Sequence, residues 1–348
     1  MRFGLFSLFD FFPERQKEVD YYRKTLDLIT QADALGLDSV WIGEEHFYSF
    51  GICPRPQIFL TAVAQRTQKI RLGTAVSLLP FDNPLRTAED FAMLDILSGG
   101  RVDFGVGRGL IPAHFSGFGV NPAETRARMN EALEVITKAW TQERFSHQGQ
   151  FYHYPELSLS PKPLQKPHPP IWIGTLSPES FERAGMTGQN ILVVPFLSGP
   201  FPHVKAQVER YRTLLREHGH NPAHVKSMFV FFLFVDQDYR TAVNEGREVG
   251  GRYMQLVRRY IPVPGKDTPA EIKAQANALL RQLDTFPEEI EERAIVGTPA
   301  DCRRRIEELR REFGIEHLAF YLHAGARDMD RAGHALDLFA REVAPYFR

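Results

Sequence analysis

Eight short apolar runs, each followed by a stretch with helical periodicity, leave few folds open to this chain of 348 residues. The runs are "RFGLFSLF" (2–9), "DSVWIGE" (38–44), "IRLGTAVSLLP" (70–80), "RVDFGVG" (101–107), "IWIGT" (171–175), "NILVVP" (190–195), "VKSMFVFFLFV" (225–235) and "IEHLAFYL" (315–322). Near-continuous apolar character is what strands show when both faces are covered. Stretches such as "EVDYYRKTLDLITQADALGL" (18–37) and "ETRARMNEALEVITKAWTQ" (124–142) repeat apolar residues at helical spacing. The order predicts an α/β fold, a (β/α)8 TIM barrel. A doubly wound open sheet, more often of about five or six strands, is the alternative. Residues 238–296 exceed what a minimal barrel needs and read as a mainly helical insertion after strand 7, within a single domain spanning 1–348. An insertion at that point follows a strand end, so a lid and a purely structural outer layer are both open.

Composition removes several classes of function. The formal net charge is -1, and no long Lys/Arg run occurs, so a nucleic-acid partner is not indicated. Arginines alternate with acids in "RRRIEELRREF" (303–313), the pattern of a solvated helix face. Cys53 and Cys302 form no CxxC motif, so neither a disulfide framework nor a zinc knuckle is suggested. The apolar start lacks a small-residue cleavage site and reads as a first strand, not a signal peptide. No apolar run is long enough for a membrane span. A cytoplasmic protein is expected.

A barrel of this kind carries its site at the C-terminal ends of the strands. That places "DFFPER" (10–15), Glu44, Glu45, His46, Phe47, Val76, Ser77, "GRGLIPAHF" (107–115), Leu176, Ser177, Ser180, Phe196 and His323 at one mouth. The set is rich in aromatic residues: Phe11, Phe47, Phe115 and Phe196 are candidate walls of a cavity suited to a planar cofactor or an apolar ligand. Gly107 and its neighbouring glycines allow close backbone approach, and Arg108 supplies a cation suited to phosphate. "TLSPES" (175–180) adds a helix N-terminus with the hydroxyls of Ser177 and Ser180, a ready anion site. Together they imply one bound phosphate. No metal is expected at "EEHF" (44–47), because consecutive residues of an extended strand alternate sides. HExxH and GxSxG motifs are both absent.

"VWIGEEHF" (40–47), "RLGTAVSLLPFDNPLRTAEDFAMLDILSGGR" (71–101), "VDFGVGRGL" (102–110) and "PPIWIGTLSPES" (169–180) come in the order and spacing of the bacterial luciferase-like flavin monooxygenase superfamily, which the chain resembles over nearly its whole length outside 238–296. The resemblance implies a barrel that holds reduced FMN, supplied by a separate flavin reductase, and uses O2 through a C4a-peroxyflavin to oxidise a small to medium organic, largely apolar substrate. It implies that Arg108, Leu176, Ser177 and Ser180 bind the phosphate, that Ala75-Val76 is a non-proline cis peptide under the flavin ring, and that Gly107 leaves space where luciferase has a cysteine. It points to Glu45 and His46 as catalytic residues. Luciferase reads Glu-His-His-Phe where this chain reads Glu-Glu-His-Phe, so Glu45 stands at the catalytic histidine's position. Homodimers are common among such barrels. An F420-dependent hydride-transfer enzyme of the same superfamily is the alternative; few strand-end cations beyond Arg108 and Arg86 favour FMN. A non-catalytic flavin-binding homologue or partner subunit is the third reading.

Overall fold

A computed structural model of the chain describes residues 1–47, 50–198, 200–260 and 280–348. Eight parallel strands close on themselves: β1 (Arg2–Ser7), β2 (Ser39–Ile42), β3 (Arg71–Thr74), β4 (Val102–Gly107), β5 (Ile171–Thr175), β6 (Asn190–Val193), β7 (Ser227–Val235) and β8 (His317–Tyr321). Each pairs with its sequence neighbours; β6 joins β7, β7 joins β8, and β8 returns to β1. All strands run the same way, so all eight C-terminal ends open at one mouth.

Strand alternation divides the core in two. On β2, Val40 and Ile42 face outward and pack among the helices, while Trp41 points into the lumen with Phe6, Trp172, Met228 and Phe232. The lumen is packed solid at this level. Trp41 and Trp172 meet edge to face at 5.0 Å, and a Cβ on Gly73 would lie 2.2 Å from the Trp41 ring, so only glycine fits there. The indole N–H groups find partners, Trp41 on the Ser39 hydroxyl at 2.8 Å and Trp172 on Asp103 at 3.2 Å.

Helix boundaries follow local chemistry. Asn83 accepts from the backbone of Leu85 at 2.9 Å to open the helix Pro84–Leu97. The helix Pro178–Thr187 starts on a proline and stops at Gly188 with φ 67°. After β7, the helix Tyr239–Tyr260 covers one side of the barrel, with Tyr253, Met254 and Val257 buried against it. A buried ion pair fixes this helix. Arg327 reaches Glu245 at 3.1 and 2.7 Å and donates to the carbonyls of Leu233 and Leu322 at 3.0 and 2.9 Å. A short strand, Ile295–Gly297, then pairs in parallel with the end of β7.

Three details differ from the sequence-based expectation. The run 70–80 is not one strand. It breaks after Thr74, passes a cis Ala75-Val76 peptide bond, and resumes as Ser77–Leu78 beside β4. The strands Phe145–Gln148 and His153–Leu157 form an antiparallel hairpin that the apolar pattern does not signal, because half its residues are exposed. A short helix, Pro112–Phe118, stands in the loop after β4. In the insertion, "IPVPGKDTP" (261–269) and most of the second helical stretch lie outside the described residues.

Candidate active site

Beyond Ile42 the chain leaves the strand, and Phe47 takes a left-handed conformation with φ 69°. Before it, the two adjacent carboxylates turn to different neighbours. Glu44 points into the barrel wall. It accepts from the Ser77 hydroxyl at 3.2 Å and the Leu78 N–H at 3.1 Å, and its other oxygen lies 2.9 Å from His46 Nε2. Glu45 points the other way, with Oε2 3.4 Å from His114 Nε2. The same His114 nitrogen accepts the His46 backbone N–H at 3.2 Å. Burial, and then the nearby His46, push His114 down to about 4, against the opposing effect of that backbone hydrogen bond. His114 is therefore neutral at neutral pH.

Glu45 opens onto a cavity of about 450 Å³ lined also by Phe11, Pro13, Glu18, Phe47, Gly51, Ile52 and Pro54. Gly51 is required here: a Cβ would lie 2.2 Å from the Leu8 carbonyl and 2.6 Å from the Glu45 side chain. The loop after β1 is pinned from behind by Asp10. Its carboxyl takes the Tyr321 hydroxyl and, at 2.7 Å, the Gly325 N–H, and burial pushes it up to about 7.

Across the mouth, β4 ends at Gly107 and presents Arg108, half-buried. Burial, then the neighbouring Arg126, lower its proton affinity, and Glu179 works in the opposite direction. Arg126 is bonded to Glu179, and Arg183 also feels Arg126. The helix Pro178–Thr187 begins in the same corner. The Ser180 hydroxyl accepts the Ser177 N–H at 3.2 Å and donates to the Ser177 carbonyl at 2.6 Å. Leu176 stands at its lip, 39% exposed. Three guanidinium groups and a helix N-terminus against one carboxylate suit a phosphate dianion. Beside this corner, Val76 fills the notch between Gly107 and Gly174. A Cβ at Gly107 would meet its side chain at 2.4 Å, so the space expected at Gly107 is taken by Val76.

The aromatic residues divide. Phe11 and Phe47 share the Glu45 cavity. Phe115 instead packs on Phe81 at 5.6 Å, and Phe196 packs on Phe232 at 4.7 Å beneath the helix Tyr239–Tyr260. His46 is 9% exposed and turned towards Glu44; it is not among the residues lining that cavity. His114 and Arg126 were missed by sequence reasoning. His114 sits inside the quoted "GRGLIPAHF" segment, but its partners come from another loop; Arg126 reads as one more charge on an amphipathic helix. Among the described residues, no group of three or more His, Cys, Asp and Glu side chains is placed to hold a metal ion.

Comparison with known proteins places these features in context. The luciferase-like monooxygenase family profile matches residues 1–317. The oxygenase component of a flavin-dependent trigonelline monooxygenase from Acinetobacter baylyi is 26% identical over 100% of this chain and 96% of its own length. A Sinorhizobium fredii protein without an assigned activity is 36% identical over 61% of this chain and 60% of its own. Among solved structures, the monooxygenase RslO1 from Streptomyces bottropensis superimposes with a TM-score of 0.84 at 29% identity, covering 100% of both chains. The oxygenating constituent of 3,6-diketocamphane monooxygenase from Pseudomonas putida, in complex with FMN, gives 0.82 at 22% identity over 100% of this chain and 99% of its own, which speaks to the fold alone. With a profile match over most of its length and the closed eight-stranded barrel that its sequence predicts, this chain belongs to the luciferase-like monooxygenase family.

Proposed function

We propose that this protein is the oxygenase component of a two-component, FMN-dependent monooxygenase acting on a small to medium organic substrate. The observation that carries the reading is the arginine corner at the mouth. Arg108 and Arg126 stand by the N-terminus of the helix Pro178–Thr187, where a mononucleotide's single phosphate would be held by guanidinium groups, backbone N–H groups and the Ser177 hydroxyl. Val76, between Gly107 and Gly174, and the neighbouring Ala75 would form the surface against the flavin ring. Reduced flavin supplies the electrons that activate O2, so that one oxygen atom enters the substrate and the other leaves as water.

The chain's own contribution is binding, shielding and orientation. Phe11 and Phe47 give the cavity its apolar walls, and Glu45 presents a carboxylate to the substrate. His46, turned to Glu44, acts as a positioning residue that holds the loop. The corner also holds Arg126 and Arg183, more cations than the sequence-based argument against F420 allowed for, so binding must separate the two cofactors. Titration with reduced FMN and with reduced F420 is expected to show tight binding of FMN alone. Arg108→Ala should weaken FMN by about 10- to 100-fold, the loss of a charge-assisted contact of roughly 1.5–3 kcal/mol. Tight binding of F420 without FMN, or failure to incorporate ¹⁸O from ¹⁸O2 with any organic substrate, would sink the reading.

A transient flavin reductase partner follows from the separate-component arrangement, and we place the protein in the cytoplasm. We also propose a homodimer. Ile58, Met93, Ile96 and Leu97 are exposed on two helices, Pro56–Arg66 and Pro84–Leu97, that pack side by side. Leu97→Lys is expected to shift the protein towards monomer in sedimentation velocity.

A further inference from the structure

The arginine corner holds a carboxylate that the flavin reading does not use. The helix Pro178–Thr187 opens with Pro178, and Glu179 stands next in its first turn. An acid at that position interacts favourably with the free N–H groups and the positive end of the helix dipole. The same carboxylate is bonded to the Arg126 guanidinium, which comes from the helix Thr125–Thr141. Arg126 holds the Glu179 carboxyl below the usual carboxylate range, and Arg108 adds to that pull. Glu179 therefore engages both attractors that a phosphate would use here, a guanidinium and the start of this helix. The pair is open to water, with the Arg126 side chain 42% and the Glu179 side chain 63% exposed. An ion pair so exposed contributes little stability and parts easily. Arg108, by contrast, is half-buried, and it feels both Arg126 and Glu179.

We infer that Glu179 is a resident counter-ion of the arginine corner, a carboxylate that competes with the phosphate of a mononucleotide and sets how tightly that phosphate is held. The inference rests on the proposed function, because it takes this corner to be the phosphate's seat. Glu179 acts in two ways. It engages Arg126, which a phosphate must share or release, and its charge opposes a second anion beside Arg108 and Arg126. Both weaken the hold on phosphate without closing the corner, because the pair lies in water and can part. A ligand that lacks the phosphate feels neither effect. An oxygenase fed by a separate reductase must take up reduced flavin and give up the oxidised form, and a carboxylate at this place favours that release.

The test measures anaerobic binding of reduced FMN, and of reduced riboflavin as the phosphate-free control, to the parent protein and to Glu179→Gln. The substitution keeps the length of the side chain and removes its charge. It is expected to tighten reduced FMN about three- to fivefold at low ionic strength, the scale of an exposed charge, and to tighten riboflavin by no more than about 1.5-fold. In about 0.5 M salt the gain for FMN should shrink, because screening shortens the reach of exposed charges. Glu179→Lys, which reverses the charge, should move FMN affinity in the same direction and further. A role confined to starting the helix predicts a different result: Glu179→Gln would lower Tm slightly and leave the ratio of FMN to riboflavin affinity where it was. That result, a weaker hold on FMN, or equal tightening of both ligands overturns the inference and leaves the proposed function standing. Absence of reduced-FMN binding to parent and variant alike overturns the proposed function, and the inference with it.

Discussion

Two carboxylate–histidine pairs stand side by side at the end of β2, and they do opposite things. Glu44 and His46 face each other inside the wall, and every oxygen of Glu44 is engaged by a neighbour. Glu45 and His114 meet at 3.4 Å on the far side of the same loop, where Glu45 borders a cavity. The first pair is a piece of architecture that fastens β2 to the segment after β3. The second places a carboxylate at the edge of a cavity. Adjacent, identical side chains thus end in different surroundings, one held inside the wall and one beside the cavity.

Substitution can break that contrast. The largest effect is expected from Glu45→Gln. Removing the charge should lower kcat/KM for the organic substrate roughly 10- to 100-fold, corresponding to about 1.5–3 kcal/mol for a lost hydrogen bond to a charged group. Most of this should appear in KM, while unfolding free energy changes by under about 1 kcal/mol. A fall confined to kcat would assign Glu45 a proton-transfer role instead. Glu44→Ala should do the reverse, costing about 2–3 kcal/mol in chemical denaturation, because the buried N–H of Leu78 and the Ser77 hydroxyl lose their acceptor. If Glu44→Ala proves as stable as the parent, the architectural role assigned to that pair is wrong.

Acid should sharpen the contrast more gently. The proton affinity of His114 is lowered by folding, to about 4, so between roughly pH 4 and 6.5 the unfolded chain binds the extra proton and stability falls as pH falls. Buried His323 and His317, held at about 4 and about 3, act in the same direction. Asp10, raised to about 7, acts oppositely: the folded protein takes up its proton first as pH falls from neutral. Three histidines against one carboxyl should give a net loss of Tm on acidification. Calorimetry of His114→Gln over this range is expected to show a flatter slope; an unchanged slope would mean that His114 is not held neutral.

The barrel was legible in the sequence for a physical reason. Strands covered on both faces must be apolar throughout, and such runs as "VKSMFVFFLFV" have no other ready use. Where a covering layer is missing, legibility ended, as in the hairpin whose strand His153–Leu157 is largely exposed. The strand-end residues were legible in position but not in orientation. A strand's C-terminal end puts Glu44, Glu45 and His46 at the mouth by topology. Their side chains part according to tertiary partners, Ser77 and Leu78 for Glu44, and for Glu45 the His114 that arrives from the loop after β4. Neither is written in the local pattern. Arg126 was hidden for the same reason: only the tertiary fold brings it to the corner where Arg108 and Glu179 lie.

The Arg327–Glu245 pair has a consequence for traffic through the mouth. Swinging the helix Tyr239–Tyr260 away would strand a guanidinium whose side chain is 1% exposed, at a cost of about 3–5 kcal/mol. Fewer than about one molecule in a hundred would then stand open at any moment by that route. This helix is a wall and not a door. The loops after β1 and β2 are tied to no such pair by Arg327, and Glu18 and Phe47 both line the cavity that they border.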